Sequence, residues 1–397
     1  MPIKAFRAST IISMGPVGTI SDGMMVIVQT DSGPRIQDIG PYHILKKSWT
    51  GPVRDLGDVT ICPGLINCHT HLELSHLAGI TRSGQGFAAW ADSLHKAMRT
   101  SRPDPVAVSR AIDEMQRTGT VFTADMAGFG AVPLAEALQQ KQLNHLLMVQ
   151  LFSFAPPRGE ELWTPGYAKA LPREYAGQHL AYAGHSLYST HPTTLQLIKK
   201  WCRNHNRPFA LHLAESPEEV ELLQTGRGEL AERLRTSGML PKNFKAPGRT
   251  PVAYADHLGL LDKHTLCIHC VHVSDEDIAL LAERKCTVVL CPRSNEYIGV
   301  GRAPWQKFKT AQIPLCLGTD GLTSNTDLDL RNEMRFLLEA GDVFTTNEVM
   351  EMATVNGANA LGLQEKCTLK QGAHARWAAL PKNFPTPCCP LWDQRDL

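Results

Sequence analysis

The sequence predicts an α/β protein, a (β/α)8 barrel (TIM barrel) with a small β-sandwich built from the two ends of the chain. After Pro63 and Gly64, eight apolar runs of strand length alternate with amphipathic helical patterns, as in βα units around a parallel sheet. Before Pro63 the chain reads as short alternating strands separated by turns. With 397 residues, 43% of them hydrophobic, the chain can bury a large core.

The barrel strands are predicted from apolar runs bounded by turn residues. A barrel of this kind has its active site at the carboxyl ends of the strands, so candidate functional residues are sought there. The eight predicted strands are Leu65–Leu74, Val121–Asp125, Leu146–Phe152, Leu180–His185, Phe209–Leu213, Thr265–Val271, Thr287–Cys291 and Pro314–Leu317.

Helices are predicted between the strands from apolar residues that recur every three to four positions. A last helix is predicted at Thr346–Leu361, with Gly362 as its stop signal. The helices that connect the strands are Pro105–Arg117, Leu134–Lys141, Thr194–Asn204, Glu218–Arg235, Asp275–Arg284 and Leu328–Ala340.

The two ends of the chain are predicted to form the sandwich. Cys367–Leu380 has the pattern of short strands and can return to pair with the N-terminal ones. We therefore expect residues 1–62 and 363–397 in the sandwich and residues 63–362 in the barrel. The N-terminal strands are Ile11–Met14, Met24–Gln29, Arg35–Ile39 and Asp58–Cys62.

The charge and hydropathy of the chain indicate which kinds of partner to expect. Forty Lys and Arg oppose 39 Asp and Glu, for a net charge of +1, so electrostatics gives no reason to expect nucleic acid or a membrane. The sequence has neither the apolar stretch of a signal peptide nor a membrane span. We expect a cytoplasmic protein with a small-molecule substrate, and a homodimer is compatible with the sequence. Eleven scattered cysteines favour reduced thiols over disulfides.

The strongest chemical signal is the pair His69 and His71 in the run PGLINCHTHLEL. Side chains of a strand repeat every two residues, so both imidazoles point to the same side and can reach one metal ion at about 2.1 Å. Alone, the pair is equally compatible with two half-buried polar residues.

Three other strand ends decide between these two interpretations. His212 ends PFALHL and is followed by Glu215, His269 lies in TLCIHCVHV, and Asp320 follows IPLCLGT. A barrel brings such ends around one pocket. Clustered nitrogen and oxygen ligands with a nearby carboxylate are what metal-assisted hydrolysis needs.

Taken together, these motifs resemble the amidohydrolase superfamily, in its ATZ/TRZ-type branch of aminohydrolases and chlorohydrolases. The resemblance covers almost the whole chain, although the segment LKQGAHARWAAL lacks the usual acidic residue of the final strand. The motifs are HTH on the first strand, HLAE on the fifth, HCVH on the sixth, CPRSN on the seventh and GTDG on the eighth.

The resemblance implies one divalent metal ion. Its ligands would be His69, His71, His212 and Asp320. A second metal would need a bridging lysine on the fourth strand, and the fourth strand, LAYAGHSLYS, has none. Zinc is expected because it accepts this ligand set with one open position, while iron and manganese remain open.

The resemblance also implies the catalytic roles. Asp320 would accept the proton of the attacking water, and Glu215 would protonate the ring nitrogen and then the departing amine. His269 would orient the water and stabilise the charge that develops on it.

Six further residues are predicted to contact substrate, each with a structural alternative. His185 matches a substrate-contacting histidine of the family's nucleoside deaminases, with a hydrogen-bonded structural histidine as its alternative. Glu73 can instead buttress a metal-binding histidine, and Trp90 can be a core aromatic. Arg158 is the candidate cation for a substrate carboxylate or an exposed loop arginine, and Ser294 and Asn295 either bind a ribose or shape their loop.

The resemblance implies hydrolytic deamination of an aminopurine nucleoside with release of ammonia. The motif HTHLELSHL and the short C-terminal segment favour 6-amino-6-deoxyfutalosine as the substrate. The alternatives are deamination of S-adenosylhomocysteine or methylthioadenosine, deamination of guanine or another aromatic ring, and dechlorination of such a ring. A non-catalytic barrel protein is a remote alternative, because it predicts lost ligands.

Overall fold

Three sheets organise the part of the chain that the computed structural model describes, residues 3–152, 156–157, 159, 166–171, 175, 179–241, 243–363 and 367–385. Fourteen strands form them: β1 Ile3–Ile12, β2 Thr19–Thr30, β3 Gly33–Pro41, β4 Arg54–Asp55, β5 Val59–Pro63, β6 Leu65–Thr70, β7 Thr120–Ala127, β8 Asn144–Leu151, β9 Leu180–Gly184, β10 Phe209–Leu213, β11 Thr265–His269, β12 Thr287–Leu290, β13 Leu315–Leu317 and β14 Trp377–Pro381.

The barrel consists of two four-stranded parallel sheets, in the orders β6-β7-β8-β9 and β10-β11-β12-β13. Backbone hydrogen bonds near the carboxyl ends of the strands connect the two sheets. His212 N–H donates to the carbonyl of His185 over 3.0 Å, and Asp320 N–H donates to the carbonyl of His69 over 3.1 Å. The predicted α/β barrel with eight strands in chain order is confirmed.

The first barrel strand is shorter than predicted. It ends at Thr70 and a 3-10 helix, Leu72–Leu77, follows. The reason lies in β7, where one oxygen of the Asp125 carboxylate accepts both the Thr70 hydroxyl and the Leu72 N–H. This draws the backbone out of the sheet directly after the second histidine.

Helices lie between the strands as predicted, and several begin at residues whose side chains cap them. Ser274 and Asp277 form a capping box, as do Thr345 and Glu348. The helices are α1 Tyr42–Leu45, α2 Phe87–Thr100, α3 Pro105–Arg117, α4 Ala131–Gln140, α5 Pro192–Asn204, α6 Pro217–Thr225, α7 Glu229–Thr236, α8 Pro251–His257, α9 Asp275–Glu283, α10 Pro292–Ile298, α11 Trp305–Thr310, α12 Leu330–Glu339, α13 Thr346–Ala353 and α14 Val355–Ala360.

Two predicted helices are each broken into two. The prediction of one helix over Glu218–Arg235 is wrong because Gly226 ends α6 in the left-handed conformation, with φ of 72°. The predicted last helix is interrupted at Thr354, whose φ and ψ of −133° and −95° are not helical. In both cases the apolar period continues across the break, so periodicity alone does not reveal it.

The two ends of the chain pair with each other. The outer sheet has the order β14-β5-β1-β2-β3, and β14 runs antiparallel to β5 with Trp377 opposite Pro63. Phe6, Ile61 and Trp377 are buried in a core of this sheet. The first strand is longer than predicted, because it already starts at Ile3, and the returning strand is shorter than Cys367–Leu380.

Alternate residues of the barrel strands form a separate apolar cluster. Ala124, Leu146, Ala181 and Leu266 belong to it, while the neighbouring residues Leu147, Tyr182 and Cys267 pack with the outer helices in the largest cluster. This alternation is the side-chain period of a strand, and it leaves the carboxyl end of the barrel to polar side chains.

The nine cysteines among the described residues are free thiols, and eight of them are buried. The prediction of reduced thiols therefore holds for these nine. No helix in the described part of the chain has the length and apolar character needed to cross a membrane.

Candidate active site

The carboxyl ends of the barrel strands bring together the four candidate ligands and the candidate His269. His69 lies near the end of β6 and His71 just after it, His212 lies in β10, and His269 ends β11. Asp320 follows β13 by three residues. Apart from the partly exposed His71, these residues are at most 6% exposed.

The backbone adopts unusual conformations at these strand ends. His269 has φ of 73° and Asp320 has φ of 58°, a left-handed region that residues other than glycine seldom adopt. Such strain persists where the surrounding structure enforces it, and it is concentrated at functional sites. Gly318 provides the space for β6 to approach, because a Cβ atom there would lie 2.7 Å from the Cβ of His69.

Two of the histidines direct their Nε2 atoms at each other. His71 Nδ1 donates to the carbonyl of Met126 and His212 Nδ1 donates to the carbonyl of His185, each over 2.9 Å. With the proton on Nδ1, the neutral form of such a ring keeps a lone pair on Nε2. These two Nε2 atoms lie 3.3 Å apart, and two lone pairs can share this space only with a proton or a cation between them.

His69 and Asp320 complete the cluster. Both nitrogens of the fully buried His69 ring lack a hydrogen bond, and Nε2 lies 3.2 Å from Asp320 Oδ1. The same Oδ1 lies 3.6 Å from His71 Nε2. Asp320 Oδ2 accepts the hydroxyls of Ser294 and Ser324, so Oδ1 is the oxygen that faces the histidines.

The electrostatics of the cluster suits a cation. Burial lowers the pKa of His69 to about 4 and that of His212 well below its ordinary value, so both rings are neutral at pH 7. Burial raises the pKa of Asp320, but the close contact of its carboxylate with His69 and the other histidines around it outweigh this effect and hold that pKa well below its usual range. Neutral imidazole and carboxylate are the forms that bind metal ions, so the donor set fits a divalent metal.

Glu215 lies beside the cluster as a buried acid. Its Oε1 is 3.6 Å from His269 Nε2, and its residue is 6% exposed. Burial, and next the charge of Asp320, raise the pKa of Glu215 well above its ordinary value. These surroundings therefore favour the protonated form of the carboxyl group, which is the form that a general acid needs.

The ring of His269 is held by a hydrogen bond at Nδ1, on the side away from the candidate ligands. Its Nδ1 donates to Asn295 Oδ1 over 3.0 Å, and its Nε2 has no hydrogen-bond partner. His269 also forms, with His69 and Asp320, a group whose potential ligand atoms lie within 4.8 Å of one another. The free Nε2 therefore faces the same space as the candidate ligands and Glu215.

The residues predicted to contact substrate lie in different surroundings. His185 faces His212 with ring centroids 5.1 Å apart, and burial lowers the pKa of His185 to about 3. Trp90 is partly buried and donates its indole N–H to the carbonyl of Thr323. Ser294 and Asn295 are buried and bond to Asp320 and His269, which gives them partners other than a ribose.

Glu73 and Arg158 are the two remaining residues that were predicted to contact substrate. Both oxygens of the Glu73 carboxylate accept backbone N–H groups, those of Gly128 and Gly130. Glu73 therefore holds a turn, a role that the sequence did not predict. Arg158 lies outside the described residues.

Sequence reasoning missed several residues that support the site. Glu219 Oε2 accepts the N–H of Glu215 over 2.8 Å, and the run Ser216-Pro-Glu-Glu219 is a capping signal that marks this glutamate. Ser324 gives no comparable signal, because a serine four residues after an aspartate is common. Asn67 binds the Thr319 backbone and side chain, and its position two residues before His69 on β6 suggests this inward orientation.

The geometry agrees with comparisons to known proteins. The amidohydrolase family model matches residues 60–384. A 5-methylthioadenosine/S-adenosylhomocysteine deaminase from Moorella thermoacetica is 31% identical over 91% of this chain and 81% of its own. The chain therefore belongs to the amidohydrolase family. Amidohydrolases bind a divalent metal ion, and this chain is a hydrolase that acts on carbon–nitrogen bonds.

Solved structures confirm the fold. Helicobacter pylori aminofutalosine deaminase in complex with methylthio-coformycin has a TM-score of 0.78 at 20% identity, over 98% of this chain and 94% of its own. An adenosine deaminase from Xanthomonas campestris with bound zinc has a TM-score of 0.73 at 22% identity, over 96% of this chain and 85% of its own.

Proposed function

We propose that this protein is a metal-dependent deaminase of an adenosine-like nucleoside and releases ammonia. One observation carries the proposal: the Nε2 atoms of His71 and His212, whose Nδ1 atoms face backbone carbonyls, lie 3.3 Å apart near the buried acid Glu215. The named functions of the relatives support the substrate class.

We propose one divalent ion, held by His69, His71, His212 and Asp320. Zinc suits three imidazoles and a carboxylate, and the structure from Xanthomonas campestris contains zinc. Such an ion supplies Lewis-acid activation of water, whose pKa falls from about 15.7 toward about 7.

The side chains around this position would divide the proton transfers between them. Asp320 accepts the proton of the water that attacks C6 of the purine, since its Oδ1 faces the cluster while the two serines hold Oδ2. Glu215 donates its proton to the ring nitrogen next to that carbon. Glu215, now ionised, would take up the proton of the new C6 hydroxyl and pass it to the amine, so that the C6–N bond breaks, a C6 carbonyl remains and ammonia departs. Asp320 would release its proton, and Glu215 would regain one, before the next turnover. His269 Nε2, which has no hydrogen-bond partner among the described residues, orients the water.

The particular nucleoside is a finer proposal. We propose 6-amino-6-deoxyfutalosine as the first candidate, because the motif HTHLELSHL at the first barrel strand favours it. The second candidate is 5′-methylthioadenosine or S-adenosylhomocysteine, and the 31% identity to the Moorella enzyme favours it. All three share an adenine base and a substituent on the 5′ carbon.

Ammonia release from a panel of purified compounds tests the proposal. The panel contains the three candidates, adenosine, 5′-deoxyadenosine, guanine and a chlorotriazine, with metal-loaded protein and the His212→Ala variant in parallel. We expect ammonia and the corresponding inosine product from at least one adenine nucleoside, and none with the variant. Turnover of guanine or the chlorotriazine alone, or no turnover in a protein that holds its metal, would contradict the proposal.

A further inference from the structure

The turn after β7 is built around the Glu73 carboxylate. Oε1 accepts the N–H of Gly128 over 2.8 Å and Oε2 accepts the N–H of Gly130 over 2.6 Å. A Cβ atom at residue 130 would lie 2.6 Å from Oε2, so only glycine fits against the carboxylate. Both oxygens thus hold the two residues that flank Phe129.

Phe129 is presented to solvent by this turn. Its residue is 73% exposed, the largest value among the exposed large hydrophobic residues that the structure describes. The ring packs on Tyr167 with centroids 5.0 Å apart, and Tyr167 in turn donates its hydroxyl to the carbonyl of Gln150. The turn and Tyr167 therefore hold the ring in place, while most of its surface stays accessible to a ligand.

A row of rings connects Phe129 to the candidate metal ligands. Phe152 follows β8, is 41% exposed, and faces His185 with centroids 4.8 Å apart. His185 faces His212. On the other side, a Cβ atom at residue 128 would touch Phe152 Cε2 at 3.0 Å, so the Phe129 turn packs against Phe152.

We propose that Phe129, Phe152 and His185 form an aromatic ledge that binds an apolar thioether group on the 5′ carbon of the nucleoside, with Glu73 as its positioning residue. This inference rests on the proposed function, in the form of its second candidate, a nucleoside with a thioether on the 5′ carbon. It gives Phe129 and Phe152 a specificity role and gives Glu73 an indirect one.

The chemistry of the substrate class supports this position for the group on the 5′ carbon. The reacting C6 atom has to reach the cluster of His69, His71, His212 and Asp320, and the ribose is attached at the opposite end of the purine. The 5′ group therefore lies toward the outside of the pocket, where the ledge runs from the partly buried His185 to the exposed phenyl ring of Phe129. Thioether sulfur makes favourable contacts with aromatic rings, whereas a 5′ hydroxyl loses water there without gaining a partner.

The test compares 5′-methylthioadenosine with adenosine, using the full-length metal-loaded protein. The readout is the selectivity ratio, defined as kcat/KM for the thioether nucleoside divided by kcat/KM for adenosine. We expect a ratio of about 10 or more, the range in which a small apolar group is discriminated. Phe129→Ala and Phe152→Ala should each reduce the ratio several-fold, mainly through the KM of the thioether nucleoside.

Three further variants separate the ledge from a general loss of structure. Phe129→Tyr keeps the ring and should keep the ratio. Glu73→Gln replaces one acceptor oxygen by an amide N–H group that cannot bind a backbone N–H, so it should reduce the ratio as the phenylalanine variants do. Ile44→Ala removes an exposed side chain on α1, at the outer sheet, and should leave the ratio unchanged.

The outcomes distinguish the ledge from the proposed function. Deamination of both nucleosides with the same ratio in wild type and in both phenylalanine variants would overturn the ledge and leave the proposed function standing. A wild-type preference for adenosine would do the same. Failure to deaminate 5′-methylthioadenosine would overturn the ledge, and the proposed function would fall only if the other adenine nucleosides of the panel also release no ammonia.

Discussion

At the scale of single residues, the candidate ligands are fixed through the atoms that do not face the cluster. His71 and His212 donate their Nδ1 protons to backbone carbonyls, and two serine hydroxyls hold Asp320. Such contacts behind a ligand set its tautomer and orientation. The site is therefore arranged by the fold before any ion binds.

Glu215 is the residue whose role is easiest to separate from metal binding. We predict that Glu215→Gln keeps the metal content of the protein and lowers its turnover by about two to four orders of magnitude, the usual range for a lost general acid. Metal per chain and ammonia release, measured on one preparation, check this. Lost activity that missing metal fully explains, or turnover close to that of wild type, would refute the assigned role.

Glu219 is predicted to make stability depend on pH. Burial raises its pKa from 4.5 to about 8. Between these two values the unfolded chain releases the proton while the folded chain retains it, so the free energy of unfolding falls as the pH rises. Glu219→Gln should remove this component, seen as a smaller difference between urea unfolding free energies at pH 5 and pH 8.5. The exposed Glu232→Gln is the control, and equal pH slopes in wild type and Glu219→Gln would be evidence against the prediction.

The sequence was sufficient for the candidate ligands but not for the residues behind them. His69 and His71 could be paired because side chains alternate along a strand, and the barrel then added His212 and Asp320. Ser294 and Asn295 were expected at the ribose, yet they bond to Asp320 and His269. Their orientation depends on how α10 begins after β12, which no local pattern encodes.

At the scale of the elements, strands were easier to predict than helix boundaries. Each barrel strand is an apolar run bounded by turn residues, and all eight were found. The break at Gly226 was missed because the apolar period continues into α7, and the first strand was predicted too long because Asp125 redirects it from β7. Tertiary contacts of this kind lie outside any local window.

Close contact between β6 and the segment after β13 is predicted to be essential for the site. In Gly318→Ala the new methyl group would meet the Cβ of His69 at 2.7 Å. We expect a loss of about 1 to 3 kcal/mol in the free energy of unfolding and weaker metal binding, measured by denaturant unfolding and competition with a chelator. At Gly166 a Cβ atom would meet nothing within 4 Å, so Gly166→Ala should change neither. Unchanged metal affinity in Gly318→Ala would argue against this account of the contact.

At the scale of the whole molecule, the core and the candidate metal position are separate. The apolar clusters lie between the strands and helices and in the outer sheet, whereas the polar cluster occupies the carboxyl end of the barrel. We keep residues 63–362 as the proposed barrel domain and residues 1–62 with 363–397 as the proposed sandwich. Folding is then expected to be independent of the metal.

Removal of the metal should abolish activity without unfolding the protein. Chelation is predicted to lower the Tm only by the amount that ligand release implies, with the far-UV circular dichroism unchanged and activity restored by added zinc. His69→Ala should behave like the chelated protein. Global unfolding on chelation would identify the metal as structural.

The most direct test of a single-metal hydrolase is a titration of the metal-free protein. Zinc is added in fractions of an equivalent, and ammonia release from the best nucleoside of the panel is measured at each step. The proposed ligand set of His69, His71, His212 and Asp320 predicts a linear rise that ends at about one ion per chain. A rise that continues to two ions per chain, or full activity in the absence of metal, would contradict it.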